Sequence, residues 1–376
     1  MKQQLVPSEL LQKADKILFV AHLAIGDFAY YQNCFKAFAE QYPHIKIHVW
    51  VDELRRTRCF WRWKYLKNYA LYDWLEACPF IHKVYKKTYS PSLLKQSLVA
   101  AQHEQYPLVV SLATLRPHKY ARLARRLSSC GFVVGLYKPV RWYNWIKRLS
   151  YKRLDQRFLW QHTSLSGKHI SHIDADWFTA LFGIEIADKH PFVAIPNKWV
   201  TYAKLRFLKW GIDKKSKKFG TVIFINAFAK DKKRTWPLKN VAQLIRIIKH
   251  KDAWGDVSFV INADPHRFAS TKKYFERQSI NDTYVFSAEH NFFQLPAMMS
   301  LCDKIISVET STIHLATAVN VPVVVLMRTK NPEWMPIDKE QKNTVIFARN
   351  RKDWVKNISV ERVMQSLDTA LHDEQT

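Results

Sequence analysis

Glycine is scarce in this chain, with eight residues among 376, which is about a third of the usual share. The glycine-rich phosphate loops GxGxxG and GxxxxGK[ST] are both absent from the sequence. Such loops bring backbone N–H groups close to a phosphate. Because they are missing, any bound nucleotide is expected to be held by helix N-termini and by side chains.

Paired cysteines and long apolar runs are also missing. The five cysteines are scattered without CxxC spacing, so the sequence predicts neither a zinc site nor a disulfide framework. The HxxHxD stretch at His169, His172 and Asp174 fits no known ligand spacing, and we assign no metal there. No run reaches eighteen apolar residues and the N-terminus is polar. We therefore expect a cytosolic protein whose contact with a membrane is at most peripheral.

Acidic residues are too few to balance the basic ones. The chain has 59 Lys and Arg against 32 Asp and Glu, a net charge of +27. Such a field attracts polyanions, namely nucleic acid, an anionic membrane or a phosphorylated glycolipid. No RRM, KH or zinc-finger pattern supports nucleic acid, so we expect none as a partner. The sequence does not indicate an oligomeric state.

The basic residues concentrate in one stretch that also contains aromatic residues. Between Arg116 and Arg157 there are twelve Lys or Arg and a single acid, Asp155, and four aromatics are interleaved: Trp142, Tyr143, Trp145 and Tyr151. This composition is typical of a membrane surface or of a site for an anionic lipid headgroup. A solvated basic helix face whose aromatics fill the core is an equally open interpretation.

Apolar strand-like runs alternate with helical patterns along the whole chain. Residues 17–21 read as a buried strand, followed by a turn at Ile25-Gly26-Asp27, an aromatic-rich helix and a second strand at 45–51. The same rhythm recurs at 108–136 and again at 220–262. Such βαβ units predict parallel sheets covered by helices. The length predicts two domains, which we place at 1–195 and 196–376, with a last helix capped by Ser359 that can pack back on the first domain.

Residues 302–327 carry the most informative local pattern. An apolar strand leads through Glu309-Thr310-Ser311-Thr312 into a short helix that contains His314, and a second apolar run follows. The unpaired N–H groups and the dipole at a helix start favour an anion, most obviously a phosphate. Ordinary N-capping by Ser and Thr remains the alternative interpretation.

Three other loops follow predicted strands and carry charged side chains. Asp27 stands at a helix start, where it acts either as a general base or as a cap. The stretch from Lys230 to Arg234 holds four cations, which stabilise a phosphate leaving group or form a solvated charge run. Asp264, at the end of its own strand, is placed to bind a ribose hydroxyl.

Taken together, these motifs resemble a known family. AIGDF, KRTWP, INAD and VETSTIHLATAVNVPVVVL, with YPLVVSLATLRPHKYARLARRLSSCGFVVGL in the first half, are similar to the bacterial lipopolysaccharide heptosyltransferases of glycosyltransferase family 9. The likeness covers most of residues 16–345. It implies an α/β protein of the GT-B fold, with two Rossmann-like domains facing a central cleft and a C-terminal helix closing the structure.

The resemblance also implies an activity and a set of site residues. A heptose would pass with inversion from ADP-heptose to the lipopolysaccharide inner core, without a metal or cofactor, and Asp27 would be the general base. The first domain would bind the acceptor, through Arg116, Lys119 and Arg122. The second would bind the nucleotide sugar, and the donor residues are assigned as Gly26, Lys233, Arg234, Asp264, Glu309, Thr310, Ser311, Thr312 and His314.

Two motifs depart from the family pattern. The usual Asp-Thr-Gly is Glu309-Thr310-Ser311 here, and Leu23 and Ala24 replace the hydroxyl residues often found before Gly-Asp. The donor sugar is therefore open. The alternatives are a GT-B transferase that uses another nucleotide sugar, or a catalytically silent GT-B protein that binds polyanions.

Overall fold

The chain divides into two compact units, Met1–Lys189 and His190–Thr376. The computed structural model describes residues 4–159, 167–212, 220–337 and 342–373, with only the backbone described for 370–373. Each unit contains a parallel sheet with helices packed around it. The predicted fold class, α/β with two Rossmann-like domains, is confirmed.

The described part of the first unit forms one six-stranded sheet in the order β3-β2-β1-β4-β5-β6. Every neighbouring pair is parallel. The central strand β1 is almost wholly buried, which explains its continuous apolar sequence. The strands are β1 (Lys16–Ala21), β2 (Lys46–Val51), β3 (Ile81–Tyr85), β4 (Leu108–Ser111), β5 (Phe132–Tyr137) and β6 (Gln156–Leu159).

Aromatic side chains fill the core on one side of this sheet. Phe19 of β1 lies against Phe35, with ring centroids 4.8 Å apart, and stacks on Phe178 at 5.7 Å. These contacts hold α2 and α7 together on the sheet. The helices of the unit are α1 (Ser8–Lys13), α2 (Ile25–Gln41), α3 (Ala70–Ala77), α4 (Pro91–His103), α5 (Pro117–Leu127), α6 (Trp145–Tyr151) and α7 (Ile170–Phe182).

The second unit repeats this architecture. Its described residues form a six-stranded sheet in the order β12-β11-β10-β7-β8-β9, again parallel throughout. The strands predicted at 220–226 and 257–262 are confirmed as β7 and β8. The strands are β7 (Thr221–Asn226), β8 (Val257–Asn262), β9 (Thr283–Phe286), β10 (Lys304–Val308), β11 (Val323–Met327) and β12 (Thr344–Phe347).

The last helix packs within the second unit. Ser359 Oγ accepts from the Arg362 N–H at 3.4 Å, as the predicted cap requires, and Val360, Val363 and Leu367 are buried in the core of this unit. The helices are α8 (Asn197–Lys209), α9 (Leu238–Lys249), α10 (Pro265–Gln278), α11 (Gln294–Met299), α12 (Ser311–Ala318) and α13 (Val360–Asp373).

Parallel strands bring their following loops to one edge of each sheet. In the first unit this edge carries the residues after β1, β2, β4 and β5, and in the second unit those after β7, β8 and β10. Open α/β sheets bind ligands beyond these carboxyl ends. The candidate site residues of each unit are therefore sought there.

Candidate functional site

Asp27 lies in the first turn of α2, just after β1. The backbone N–H of Ala24 donates to its Oδ2 at 2.7 Å, so the carboxylate holds the helix start from the third helical position, whereas the N-cap residue is Ala24 and not Asp27. Burial raises the pKa of Asp27 to about 6, although the hydrogen bond from Ala24 opposes this shift. A carboxylate with a pKa near neutrality is well matched to general-base chemistry, and capping leaves it further lone pairs.

Gly26 does not form the predicted turn. Helix α2 begins at Ile25, so Gly26 is already helical. The glycines with positive φ among the described residues are Gly167, Gly183, Gly211 and Gly255. The prediction of a tight turn at 25–27 is therefore wrong, because the chain bends before Ile25 and enters the helix directly. Gly26 belongs to the first unit, whereas the other assigned donor residues belong to the second.

A second carboxyl group lies behind Asp27. Asp174 of α7 is buried, and its Oδ2 has no hydrogen-bond partner among the described residues. Burial raises the pKa of Asp174 well above its usual range and the charge of Asp27 raises it further, while a hydrogen bond with Tyr31 opposes the shift. Tyr31 follows Asp27 by one turn of α2. Its surroundings thus disfavour the ionised form of Asp174.

An open cavity of about 600 Å³ lies at the same edge of the first sheet. It is lined by the loop after β2 and the start of α5, which contribute Asp52, Arg56, Arg116, Lys119 and Tyr120 among others. Two of the three predicted acceptor residues therefore line a cavity. The third, Arg122, is exposed on α5.

Backbone strain marks one wall of this cavity. Arg116 has φ 52° and ψ 47°, a left-handed conformation directly before Pro117, and such conformations are uncommon outside glycine. Strained backbone is concentrated at functional sites, where the surrounding structure maintains it. The left-handed conformation of Arg116 turns the chain into α5, and Arg116 is the N-cap residue of that helix.

Asp52 organises the opposite wall, and the sequence did not indicate it. Its carboxylate accepts from the Tyr120 hydroxyl at 2.7 Å and pairs with Arg56 at 2.6 Å. The ring of His22, after β1, lies 5.5 Å from that of Tyr120. Burial lowers the pKa of His22, and the charge of Asp52 opposes this. The cavity therefore presents both cationic and hydrogen-bonding groups, as a phosphorylated sugar requires.

In the second unit, the predicted anion site lies where β10 leads into α12. Thr310 is the N-cap residue of α12, but its side chain does not cap the helix. Instead Thr310 Oγ1 accepts from Asn226 Nδ2 at 3.0 Å. The N–H groups at Ser311 and Thr312 head a helix whose dipole favours an anion, and Ser311 is partly exposed whereas Thr312 is buried.

Asn226, at the carboxyl end of β7, joins three strands at this edge. Its Nδ2 also donates to Ser307 Oγ at 3.1 Å, and its Oδ1 accepts from Asn262 Nδ2 at 3.0 Å. Ser307 belongs to β10 and Asn262 to β8. Asn226 was not singled out from the sequence. The only available signal was its position as a polar residue ending an apolar strand.

Glu309 is buried among positively charged and polar groups. Arg234 lies 3.9 Å from its carboxylate, Arg328 donates to it from Nε at 3.4 Å, and Asn331 donates from Nδ2 at 3.2 Å. Glu309 therefore positions two arginines at the carboxyl ends of the sheet. Arg328 and Asn331 were missed in the sequence, because their proximity depends on a fold that brings residues about twenty positions apart together.

The remaining predicted donor residues of the second unit contact other partners. Asp264 is exposed and caps α10, accepting from the Arg267 N–H at 3.1 Å. Lys233 is exposed, with Nζ 5.8 Å from the centre of the Trp354 ring. His314 is buried in α12 with its ring 5.7 Å from that of Trp334, a position suited to supporting the loop.

A family model matches most of the second unit. Residues 197–363 match the family model for glycosyltransferase family 9 (heptosyltransferase). The second unit is therefore similar to the glycosyltransferases of family 9. The resemblance predicted from the motifs, and with it the prediction of a glycosyltransferase, is confirmed. No curated protein sequence matches the chain.

Solved structures of family 9 extend the likeness to the whole chain. A family 9 glycosyltransferase from Veillonella parvula has a TM-score of 0.73 at 16% identity, covering 96% of this chain and 98% of that one. The ADP-heptose lipopolysaccharide heptosyltransferase II of E. coli gives 0.64 at 15%, covering 96% and 100%. E. coli heptosyltransferase WaaC with ADP-2-deoxy-2-fluoro heptose gives 0.63 at 15%, covering 94% and 99%. At these identities the likeness establishes the shared fold.

Proposed function

We propose that this chain is an inverting heptosyltransferase that transfers heptose from ADP-heptose to the inner core of lipopolysaccharide. The observation that carries the proposal is the match of residues 197–363 to the heptosyltransferase family. One E. coli protein of the same fold is named as an ADP-heptose lipopolysaccharide heptosyltransferase, and another was solved with ADP-2-deoxy-2-fluoro heptose. The full-length likeness in fold supports a similar division of labour between the two units.

The donor diphosphate is proposed to bind at the start of α12. The N–H groups of Ser311 and Thr312 at that helix end would donate to the diphosphate. Arg234, held beside Glu309, and the exposed Lys233 add positive charge to the same edge of the sheet. These groups stabilise the charge that develops on ADP as it leaves, and we assign this role to them and not to a metal. Asp264, exposed after β8, would accept from a ribose hydroxyl.

Asp27 is proposed as the general base. The acceptor hydroxyl loses its proton to the Asp27 carboxylate, and its oxygen forms a bond with the anomeric carbon of the heptose. The bond between that carbon and the β-phosphate oxygen breaks, and ADP leaves with the electron pair. Attack on the face opposite the leaving group inverts the anomeric configuration. With its pKa raised to about 6, Asp27 is ionised at neutral pH yet basic enough to take the proton.

The acceptor is proposed to occupy the cavity of the first unit. Arg116 and Lys119 line it, and both can pair with core phosphates, while Arg122 extends the cationic face of α5. The lipid-linked acceptor places the enzyme at the cytoplasmic face of the inner membrane, in peripheral contact with anionic lipid. No helix in the described ranges is long and apolar enough to cross a membrane.

Glu309 and Ser311 favour a second candidate, a transferase of the same fold with another nucleotide sugar. Both positions depart from the Asp and Gly of the family pattern, and both lie at the proposed donor site. A thermal-shift screen with ADP-heptose, UDP-hexoses and GDP-sugars separates the candidates. A ligand at about one hundred times its Kd adds roughly 2.7 kcal/mol to the free energy of unfolding, so the true donor gives the largest shift.

The direct test is a transfer assay with ADP-heptose and truncated core acceptors. The proposal predicts a heptosylated product with wild-type enzyme and none with Asp27→Ala. Transfer at the wild-type rate by Asp27→Ala would remove Asp27 as the base. If wild type neither transfers nor hydrolyses any nucleotide sugar, the chain is instead a silent scaffold that binds polyanions.

A further inference from the structure

Two short segments of the first unit expose large apolar side chains to solvent. In the 3₁₀ helix Phe60–Tyr65, Trp61 is 61% exposed, and in the segment 141–149, Trp142 is 83% exposed. Folded proteins seldom expose tryptophan to this extent. The exposed apolar side chains of the two segments are Phe60, Trp61, Tyr65, Trp142, Tyr143, Trp145, Ile146 and Leu149.

Both segments are held in place by neighbouring residues. Trp63 is only partly exposed, and its Nε1 donates to the Thr57 carbonyl at 2.9 Å. The Thr57 N–H in turn donates to the Tyr89 carbonyl at 3.0 Å. In the other segment, Tyr151 is buried and α6 packs on α5. The exposed aromatics are thus presented by ordered backbone, and the interpretation in which they fill the core holds for Tyr151 alone among the four predicted aromatics.

The charge around the aromatic side chains has one sign. Residues 54–72 contain six Lys or Arg and no acid, and residues 138–154 also contain six and none. Arg55 and Arg56 pair with Glu53 and Asp52. The other cations of residues 54–72 and five of those of residues 138–154 are exposed: Arg58, Arg62, Lys64, Lys67, Arg141, Lys147, Arg148, Lys152 and Arg153.

The two segments lie at the same edge of one sheet. The segment 60–65 follows the carboxyl end of β2, and the segment 141–149 follows that of β5. In the strand order β2-β1-β4-β5, three steps of about 4.8 Å separate these ends by roughly 14 Å. The cavity is lined by the loops after β2 and β4, and so lies at this edge as well, between the segments or next to them.

We propose that the segments 60–65 and 141–149 form one docking surface for an anionic lipid bilayer, which presents the cavity to the headgroup layer. This deepens the membrane contact proposed above, adds a segment that the sequence analysis did not single out, and rests on the proposed function only for what fills the cavity. Tryptophan and tyrosine favour the interface between lipid and water, and the cations attract anionic headgroups. Ile146 and Leu149 offer acyl chains an apolar contact that a nucleic acid would not use.

The test measures binding to vesicles of phosphatidylcholine and phosphatidylglycerol in equal parts by co-sedimentation. Wild type is expected to bind these vesicles and to leave pure phosphatidylcholine unbound. The variants F60S/W61S and W142S/W145S should each weaken binding by about tenfold or more, because buried apolar area adds to the electrostatic attraction. The matched control, L205S/L208S, removes two exposed apolar residues of α8 in the other unit and should bind as wild type does.

Each alternative occupant gives a different result. If wild type ignores anionic vesicles, or if only one of the double variants weakens binding, the two-segment surface is wrong. If either variant changes the oligomeric state in size-exclusion chromatography, the surface joins copies of this chain and the proposal fails. It also fails if wild type binds a single-stranded RNA more tightly than the vesicles and the variants lose that binding. Circular dichroism confirms that each variant is folded.

A second readout separates this proposal from the proposed function. With a water-soluble truncated acceptor, both double variants should transfer at the wild-type rate, whereas with acceptor embedded in anionic vesicles they should slow by about tenfold, in line with their binding. If the double variants transfer as fast as wild type to the embedded acceptor as well, docking has no role in catalysis. If no nucleotide sugar is transferred to either acceptor, the proposed function fails, and the vesicle-binding result still decides the docking surface.

Discussion

Arg234 Nη1 donates to the backbone carbonyl of Glu309 at 3.3 Å, and the same guanidinium nitrogen lies 3.9 Å from the Glu309 carboxylate. The backbone carbonyl and the carboxylate of Glu309 therefore both hold the Arg234 guanidinium in place. The contact connects the loop after β7 with the loop that leads into α12. Because Arg328 also donates to this carboxylate, Glu309 sets the positions of both arginines at the proposed diphosphate site.

Substituting Glu309 by Gln should weaken donor binding. The variant keeps the shape of the side chain but removes the charge that holds Arg234 and Arg328. Hydrogen bonds to charged groups contribute about 1.5–3 kcal/mol, so the KM for the nucleotide sugar should rise by roughly ten- to a hundredfold, with a smaller change in the KM for the acceptor. The exposed Glu289 of the same unit provides the control, and Glu289→Gln should leave both KM values unchanged. An unchanged donor KM in Glu309→Gln would show that the arginines do not bind the donor.

Substituting Asp27 by Asn should slow transfer strongly without unfolding the protein. The Asn oxygen can still accept from the Ala24 N–H, and the variant no longer carries a charge that burial disfavours. We expect kcat to fall by about 10²–10⁴, the usual contribution of a general base, while the midpoint of thermal unfolding at pH 8 is equal or higher. Glu40→Gln, an exposed change near the end of the same helix, should affect neither. A lowered unfolding midpoint in Asp27→Asn would mean that the lost activity reports on folding.

The rate of transfer should depend on pH through the Asp27 carboxylate. A general base works only when deprotonated, and the pKa of Asp27 is raised to about 6. The rate, measured as kcat/KM for the acceptor, should therefore rise with pH through about 6 and reach a plateau above it. Asp27→Asn should remove this rise from the residual activity. A profile that is flat between about pH 5 and 8 would contradict the assignment.

Asp174 should make the protein less stable as the pH rises. Its pKa is raised well above the usual range in the folded state, so the folded protein binds a proton that the unfolded chain releases. This stabilisation is complete below the ordinary pKa and is lost progressively as the pH rises towards the folded-state value. Asp174→Asn removes the titrating group, and its unfolding midpoint relative to wild type should increase between about pH 5 and 8.

The control for that experiment lies on the same helix. Asp176 is 54% exposed and pairs with Lys168 on the surface, so Asp176→Asn should follow the pH dependence of wild type. If Asp174→Asn also parallels wild type at every pH, folding does not raise the pKa of Asp174. Circular dichroism at a single wavelength is sufficient for these melts.

The fold could be predicted because its signals are local. Continuous apolar runs such as 17–21 and 257–262 are buried strands of parallel sheets. Such strands are covered on both faces, and their burial requires the continuous apolar sequence by which they were predicted. The start of α2 was less predictable. Gly26 suggests a turn by its conformational freedom, yet the helix begins at Ile25, because the Ala24–Asp27 hydrogen bond holds the first turn.

The candidate site could be predicted only where its residues follow strands in recognisable motifs. Arg234, Glu309 and Thr310 belong to such motifs and are brought together at one edge of the second sheet. Asn226 and Asp52 carry no motif, and their roles depend on partners such as Thr310 and Tyr120 that are distant in the chain. The exposure of Trp61 and Trp142 could not be predicted either, since composition does not show which aromatic residues are buried in the core and which are exposed.

The most direct test of the central claim is the anomeric configuration of the product formed from ADP-heptose and a truncated inner-core acceptor. Nuclear magnetic resonance of the purified product, with wild type and Asp27→Asn assayed side by side, supplies it. We predict a single heptosylated product with the anomeric configuration inverted relative to the donor, which Asp27→Asn forms about 10²–10⁴ times more slowly than wild type. A product with retained configuration, or one formed equally well by Asp27→Asn, would contradict transfer by direct attack with Asp27 as the base.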